Sequence, residues 1–239
     1  MRSMLVLGAV LAVFFAEASA DEETALALLR DVAAEANAYE EKRFAFTVDY
    51  SAEENGEAIS AVLRFDPRRP SGEKWDLIGA DIDDLTKDER KRFKALQKDE
   101  NGDKDITYAG VDEMLTDVSF VDETETHARF RTPLSDEDLP DGVMEALLTV
   151  DKNARYISEI RVQTIKPFKP APIAKIKSLF ETLSFSPPAE EGGPVLLTRS
   201  ESGAEGKAMF RKFSAKSVEI YSDIEIIDAS DIPSRSSDD

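Results

Sequence analysis

The sequence predicts an α+β protein that is mainly antiparallel β-sheet, with about ten strands and one or two helices. Three observations lead to this fold class. Apolar residues alternate with polar ones over many short segments, as in half-buried strands. Turn signals such as Asn55-Gly56 leave only a few residues between segments, which favours hairpins over parallel crossovers. Helical spacing is clear in only two segments, 23–42 and 87–98.

The first half of the chain begins with the predicted amphipathic helix over 23–42. Period-two alternation then predicts strands over 43–50 and 57–65, and a third strand over 74–78 around Trp75. Thr86 followed by Glu89 is the pattern of a capping box, which predicts the start of the helix over 87–98. Further strands are predicted over three ranges: 105–110, 116–122 and 126–132.

The second half is predicted to be almost entirely β. Residues 144–151 and 155–165 have the pattern of a hairpin, whereas 173–186 fits both helical and strand spacing. Glycines at 203 and 206 indicate a turn, so the last strands are predicted over 194–200, 206–213 and 217–227. The domain prediction is one β-rich domain over 21–228, followed by a disordered acidic tail over 229–239.

The first twenty residues have the pattern of a cleavable signal peptide. Arg2 precedes an apolar run over 4–15, and Ala18-Ser19-Ala20 offers small residues to a signal peptidase. The run is shorter than the roughly 20 residues that span a bilayer, and no later segment is apolar enough to do so. With no cysteine and no Asn-x-Ser/Thr sequon, we expect residues 1–20 to be removed on export to a Gram-negative periplasm.

The formal net charge of −19 limits the partners that the chain can attract. Such an acidic chain repels nucleic acid and anionic lipid surfaces, so nucleic-acid binding is excluded. Solubility explains the charge, although attraction to cations or to a basic partner is the functional alternative.

Catalytic and metal-binding patterns are weak. His127 is the only histidine and no serine lies in a nucleophile elbow, so no Ser-His-Asp triad is predicted. One histidine and no cysteine also exclude a tetrahedral zinc site. The acidic clusters at 81–84 and 136–141 are assigned no role, since a chain with 49 acidic residues produces such pairs by chance. We therefore expect neither a cofactor nor a catalytic residue.

Residues 99–106 are similar to the front of an EF-hand calcium loop. Oxygen-bearing side chains alternate at Asp99, Asn101 and Asp103. However, Lys104 replaces the glycine needed at the sixth position, and Gly110 replaces the bidentate glutamate needed at the twelfth. A lysine would also repel the ion, so tight calcium binding is not expected.

Three motifs resemble the periplasmic carriers of outer-membrane lipoproteins (the LolA/LolB-like superfamily). A helix rich in small residues and leucine leads into the strand that contains Phe44 and Phe46; Arg69-Pro70 is followed by Trp75; and Phe185 precedes Pro187-Pro188. Two features depart from the carriers: a charged helix and an acidic loop occupy 81–105, and additional strands follow Pro188. The chain is therefore identified as a divergent member of the superfamily.

This resemblance implies a curved, incomplete barrel that is closed by helices and shelters acyl chains on an apolar concave face. Arg69 matches the arginine that controls opening in the carriers. The ligand-binding residues are then expected to be Arg69, Trp75, Phe44, Phe46 and Phe65. The alternative is that these aromatic residues fill an ordinary β core.

The function predicted from the sequence is binding or carriage of an acylated or otherwise apolar ligand in the periplasm. One alternative is an envelope assembly factor that binds another protein. The other is a hydrolase that depends on carboxylates or calcium.

Overall fold

The structure is a computed structural model and describes residues 22–79, 85–98, 102–103, 106–135, 139–209 and 211–232. The predicted signal peptide (1–20) and the acidic residues at 81–84 and 136–138 lie outside the described residues. Export stays a prediction, as do the domain boundaries. The start of the predicted acidic tail contains a 3-10 helix, Ala229–Asp231.

Eleven antiparallel strands form one sheet within the described part of the chain. Their order is β3-β2-β1-β11-β10-β9-β7-β6-β5-β4, and β8 pairs with β9 beside this path. The strands are β1 (Arg43–Glu54), β2 (Glu57–Phe65), β3 (Trp75–Ile78), β4 (Ser119–Glu123), β5 (His127–Leu134), β6 (Met144–Asp151), β7 (Tyr156–Thr164), β8 (Phe168–Ala171), β9 (Ala174–Ser186), β10 (Leu196–Ala208) and β11 (Arg211–Ile227).

The sheet is curved and stays open, because β3 and β4 do not pair with each other. Two α-helices accompany it, α1 (22–36) and α2 (Lys87–Leu96), together with a 3-10 helix at Asn37–Tyr39 and another at Val111–Met114. The predicted fold class, α+β with an incomplete antiparallel barrel, is confirmed.

Helix α1 packs on one face of the sheet, called the inner face below. Ala25, Leu29, Val32 and Ala33 recur at helical spacing and are all buried. They pack with apolar side chains of β5, β6, β7, β9 and β10 in a group called the α1 cluster. The largest fully buried members contributed by the strands are Phe130, Leu148, Val150, Ile157 and Leu197.

Helix α2 packs on the same face, over β1, β2 and β3. The predicted capping box is confirmed: Thr86 N–H donates to Glu89 Oε2 (2.8 Å), and Glu89 N–H donates to Thr86 Oγ1 (3.3 Å). Phe93 is buried and Leu96 is partly buried against the sheet. The helix ends at Leu96, two residues before the predicted end.

The predicted strand over 105–110 is wrong. The described residues from Ile106 onward form an irregular segment that leads into the 3-10 helix Val111–Met114. Ile106 packs in the cluster under α2, whereas Tyr108 and Val111 pack in the α1 cluster. These alternating apolar residues therefore do not form a strand. They anchor an irregular segment to two separate clusters.

The predicted turn at Ser202-Gly203 and Gly206 is also wrong, because both glycines lie inside β10 and the turn begins at Met209. A Cβ atom on Gly203 would lie 2.6 Å from a ring carbon of Phe180, and one on Gly206 would lie 2.4 Å from the carbonyl oxygen of Lys175. Glycine is present here because neighbouring groups approach the backbone closely. Two long strands thus replace the three predicted, and the ambiguous segment 173–186 is strand β9.

Candidate ligand-binding pocket

Three aromatic residues lie side by side on the inner face at the β3 edge of the sheet. Phe46 is opposite Phe65, and Phe65 is opposite Trp75, in the register of β1, β2 and β3. The ring centroids of Phe65 and Trp75 are 5.0 Å apart and those of Phe46 and Phe65 are 5.5 Å apart. With Phe44, Val48, Leu63, Phe93 and Ile106 they form the Trp75 cluster.

A pocket of about 290 Å³ adjoins this cluster and lies between the sheet and α2; it is called the Trp75 pocket. Its walls are mostly aliphatic and aromatic, with a few polar side chains. Tyr221 Oη–H donates to the Glu219 carboxylate, and the Glu89 carboxylate caps α2. The lining residues are Val48, Tyr50, Ile59, Ser60, Ala61, Leu63, Trp75, Leu77, Leu85, Glu89, Phe93, Leu96, Glu219 and Tyr221.

The structure places the five residues predicted from the sequence in three different positions. Trp75 lines the pocket, whereas Phe44, Phe46 and Phe65 lie behind it in the core, each at most 1 % exposed. Arg69 is not a lining residue: its guanidinium pairs with Asp76, and hydrogen bonding to that carboxylate raises the pKa of Arg69. A role for the five side chains in ligand binding stays a prediction.

Several lining residues were not predicted as part of the site. Tyr50 and Leu63 belong to the alternating faces of β1 and β2, so the sequence pattern did contain a signal for them. Tyr221 comes from β11 and is opposite Val48. No local pattern places β11 beside β1, because the pairing joins segments near the two ends of the chain.

A buried ion pair fixes the segment after α2 to the start of β1. The Asp103 side chain is fully buried and accepts hydrogen bonds from Arg43 Nε (2.6 Å) and Arg43 Nη2 (2.6 Å), as well as from the Phe44 N–H (2.9 Å). Hydrogen bonding to the Asp103 carboxylate raises the pKa of Arg43. We call this arrangement the Arg43–Asp103 latch.

The residue before the latch contacts the pocket wall directly. A Cβ atom on Gly102 would lie 2.5 Å from a ring carbon of Trp75, so the backbone approaches the indole closely. The Trp75 Nε1–H is buried and has no acceptor among the described residues. Gly102 and Asp103 thus hold the segment that contains α2 against the aromatic core.

The calcium-like loop is only partly described, since 99–101 and 104–105 lie outside the described residues. Asp103, one of its three alternating oxygen-bearing residues, has both carboxylate oxygens hydrogen-bonded in the latch. No group of three or more His, Asp or Glu side chains in the described ranges is arranged to hold a metal.

A shallow trough continues from the Trp75 pocket along the inner face, and Tyr50 lines both. Its volume is about 340 Å³, and it crosses β1, β11, β10 and β9. Large side chains such as Leu179, Phe180 and Glu181 line it in part, and five of its lining residues are small: Ala52, Ser202, Ala204, Ala215 and Ser217. The Ser202 and Ser217 hydroxyls are 2.9 Å apart. Because the small residues fill little space, the inner face stays open at the trough.

A larger cleft of about 780 Å³ lies at the rim of the α1 cluster, between α1 and residues 187–193. Tyr39 Oη–H donates to the Gly192 carbonyl across it. Arg155 lies 3.7 Å from Asp31 and 3.8 Å from Glu35, so its charge is already balanced. Burial raises the pKa of Tyr108, at the base of the cleft, to about 12.

His127 lies on β5 and is paired with its neighbours. Its Nδ1 is 2.8 Å from Thr126 Oγ1, and its Nε2 is 3.9 Å from Asp151 Oδ2. No serine is among the described hydrogen-bond partners of the ring.

Comparisons with known proteins give one distant structural likeness. No family model matches the chain, and no curated protein matches it. A solved structure of a DUF1329 family protein from Desulfovibrio piger ATCC 29098 is similar over 82 % of this chain and 90 % of that chain, with a TM-score of 0.37 and 9 % sequence identity. At this distance the likeness gives no function. Among the described helices, none is both long and apolar enough to cross a membrane.

Proposed function

We propose that this protein binds an apolar or acylated ligand in the Trp75 pocket and has a carrier role rather than a catalytic one. The observation that carries the proposal is the pocket itself, an apolar space of about 290 Å³ beside a solid aromatic core. Ligand sites are typically concave and mostly apolar, with a few polar groups that orient the ligand.

The size of the pocket indicates how a ligand would fit. Its volume lies at the lower end of the roughly 300–1,000 Å³ typical of small-molecule sites. An acyl chain gains about 0.8 kcal/mol for each CH₂ that it buries, so part of a chain in the pocket would contribute much of the affinity. The adjoining trough offers room for the remainder along the inner face.

The polar groups at the pocket favour a neutral or hydrogen-bonding head group over an anionic one. Glu219 and Glu89 both line the pocket, and a free carboxylate beside them would be repelled. Esterified acyl chains, as in lipids and lipoproteins, therefore fit better than free fatty acids.

An assembly factor that binds another envelope protein is the second candidate. Its support is that two apolar side chains on β11, Ile220 and Ile226, are exposed and could contact a partner protein. A hydrolase has less support, because the two carboxylates that line the pocket already accept hydrogen bonds, Glu89 from the Thr86 N–H and Glu219 from the Tyr221 hydroxyl.

Titration with a fluorescent acyl ester, in the absence of vesicles, tests the proposal. Trp75 is the only tryptophan, so its emission should change on binding. Ala61→Phe fills the pocket from β2 and should weaken binding at least tenfold. Ala58→Phe is the matched control, because it makes the same change on the same strand but at an exposed position on the other face. Equal affinity in the two variants would contradict binding in this pocket.

Export to the periplasm is a part of this proposal that can be tested separately. Sequencing the N-terminus of the protein from the periplasmic fraction should place it within a residue or two of Asp21. An intact Met1 on the mature protein would contradict export.

A further inference from the structure

Two neighbouring turns at one end of the sheet expose large apolar side chains. Ile173, between β8 and β9, is 63 % exposed, and Met209, after β10, is 70 % exposed. These are the two highest exposures among the described large hydrophobic residues. Met209 N–H donates to the Ile173 carbonyl (3.0 Å), so the two turns are joined.

These turns form the end of a projecting part of the sheet. The pairing of β1 with β11 ends at Glu54 and Ala215, and the pairing of β7 with β9 ends at Gln163 and Phe180. Beyond those residues, β8, β9, β10 and β11 pair only with one another. We call this projection the β8–β11 arm; on β11 it extends four residues past β1, or about 13 Å.

The arm is strongly basic although the chain is acidic. Segments 168–178 and 205–213 contain six basic residues and one acidic residue, whereas the whole chain has a net charge of −19. Lys175 is opposite Lys207, and Lys207 is opposite Lys212, so three ammonium groups lie in one row across the sheet. All three are exposed, and none forms an ion pair with a described residue.

Such a row destabilises a sheet, because like charges directly opposite each other repel. The row lies two or three residues from the exposed apolar turns. Lysine side chains can extend their ammonium groups to lipid head groups while nearby apolar residues enter the interface. A basic row behind an apolar tip is thus suited to a surface that is negatively charged outside and apolar beneath.

We propose that the β8–β11 arm docks on an anionic lipid bilayer, with Ile173 and Met209 inserted below the head groups and Lys175, Lys207 and Lys212 among them. The expected repulsion of the acidic chain from anionic lipid does not apply at the arm. Charges separated by more than about 8 Å are largely screened at physiological ionic strength. The nearest acidic hairpin, with Glu53 opposite Lys216 and Glu54 opposite Ala215, lies at the base of the arm.

A bilayer fits this surface better than a protein partner does. Stable protein interfaces bury about 800 Å² on each partner and contain an apolar core surrounded by a polar rim. Here the apolar side chains are on the tips of two turns, and the charges lie behind them along the arm. In a membrane interface the apolar region likewise lies deepest, with the charged head groups above it. Docking of the arm does not depend on ligand binding in the Trp75 pocket. Exchange of a ligand between the pocket and the bilayer would depend on both.

Sedimentation with vesicles that contain no added ligand tests the proposal. The wild-type protein should bind vesicles of equal parts phosphatidylcholine and phosphatidylglycerol far better than vesicles of phosphatidylcholine alone. Each lysine near an anionic surface contributes about a fivefold factor in binding. The K175Q/K207Q/K212Q variant should therefore bind the anionic vesicles roughly a hundredfold more weakly, and high salt should have the same effect on the wild type.

The matched control changes the same charge at another basic surface. Lys87, Lys91 and Lys94 are exposed on α2, and K87Q/K91Q/K94Q should leave vesicle binding within about twofold. All proteins should be prepared with the same sequenced N-terminus, because the apolar residues 4–15 would bind any vesicle. Equal losses in the two triple variants, or none in either, would overturn docking through the arm.

Insertion of the tip can be measured directly because the chain has no cysteine. An environment-sensitive fluorophore on Ile173→Cys should shift to the blue with anionic vesicles and be quenched by lipid-attached quenchers. The same label on Glu125→Cys, in the turn between β4 and β5 at the opposite end of the sheet, should not respond. Binding without a response at 173 would refute insertion. If the wild-type protein binds anionic vesicles but does not bind the soluble acyl ester, the pocket proposal is contradicted and the docking proposal is not.

Discussion

The two halves of the inner face are built differently. Helix α1 contributes four buried residues to the α1 cluster, whereas the only buried side chain described for α2 is Phe93. The α1 cluster contains sixteen buried residues from helix, strands and loop, and the Trp75 cluster contains eight. The contrast indicates that the α1 half holds the fold together, while the helix that covers the Trp75 half is lightly attached.

The largest expected difference concerns one leucine in each half. Leu148 is fully buried, while Leu63 is 9 % exposed and lines the Trp75 pocket. We expect Leu148→Ala to lower the free energy of unfolding by about 4 kcal/mol and Leu63→Ala by about 2 kcal/mol. The second loss is smaller because the new space joins an existing pocket. Urea unfolding measures both; equal losses would mean that the Trp75 half is packed as tightly as the other.

The Arg43–Asp103 latch replaces the packing that α2 lacks. Asp103→Ala should lower the free energy of unfolding by about 3 kcal/mol, because it leaves a partly buried guanidinium without its partner. Asp122→Ala is the matched control: the Asp122–Arg129 pair is exposed at both side chains, so its loss should lower the stability much less than the loss of Asp103 does. Similar values for the two variants in urea unfolding would rule out the latch as the main attachment of this segment.

The sequence predicted the strands much better than the site. Local alternation was sufficient for β2 and β6, whose observed bounds match the prediction, and the capping box located the start of α2. Contacts between distant segments have no such signature. Gly203 lies in a strand because Phe180 approaches its backbone closely, but in the sequence this glycine indicated a turn. The role of Asp103 depends on Arg43, sixty residues earlier. The four predicted aromatic residues lie in one cluster, but which of them lines a pocket depends on where α2 lies.

Gly102 tests how closely the segment after α2 fits the indole. Gly102→Ala should destabilise the protein by about 2 kcal/mol, because the added methyl group overlaps the Trp75 ring unless the backbone moves. The emission of Trp75 should change in the folded variant. Gly193→Ala, in the distant segment near α1, should leave the emission unchanged. An unaltered spectrum for Gly102→Ala would show that the segment moves away from the ring at little cost.

The smallest expected effect is a change of stability with pH, which tests whether water is excluded from the α1 half. Burial raises the pKa of Tyr108 to about 12, above the value of about 10 in an unfolded chain. The folded state therefore binds the proton more tightly, and this contribution to stability is complete below pH 10 and is lost as the pH rises toward 12. By pH 11 the loss is about 1 kcal/mol.

Tyr108→Phe removes that titration. The variant should be less stable at pH 8, by about 1 kcal/mol, because the Ile157 N–H loses the hydroxyl that accepts its hydrogen bond (3.3 Å). Above pH 10 its stability should fall less steeply than that of the wild type, so the two curves converge. Urea unfolding at a series of pH values from 8 to 11 measures both effects. Parallel curves would mean that water reaches the Tyr108 hydroxyl, and the α1 half would then be no drier than the pocket half.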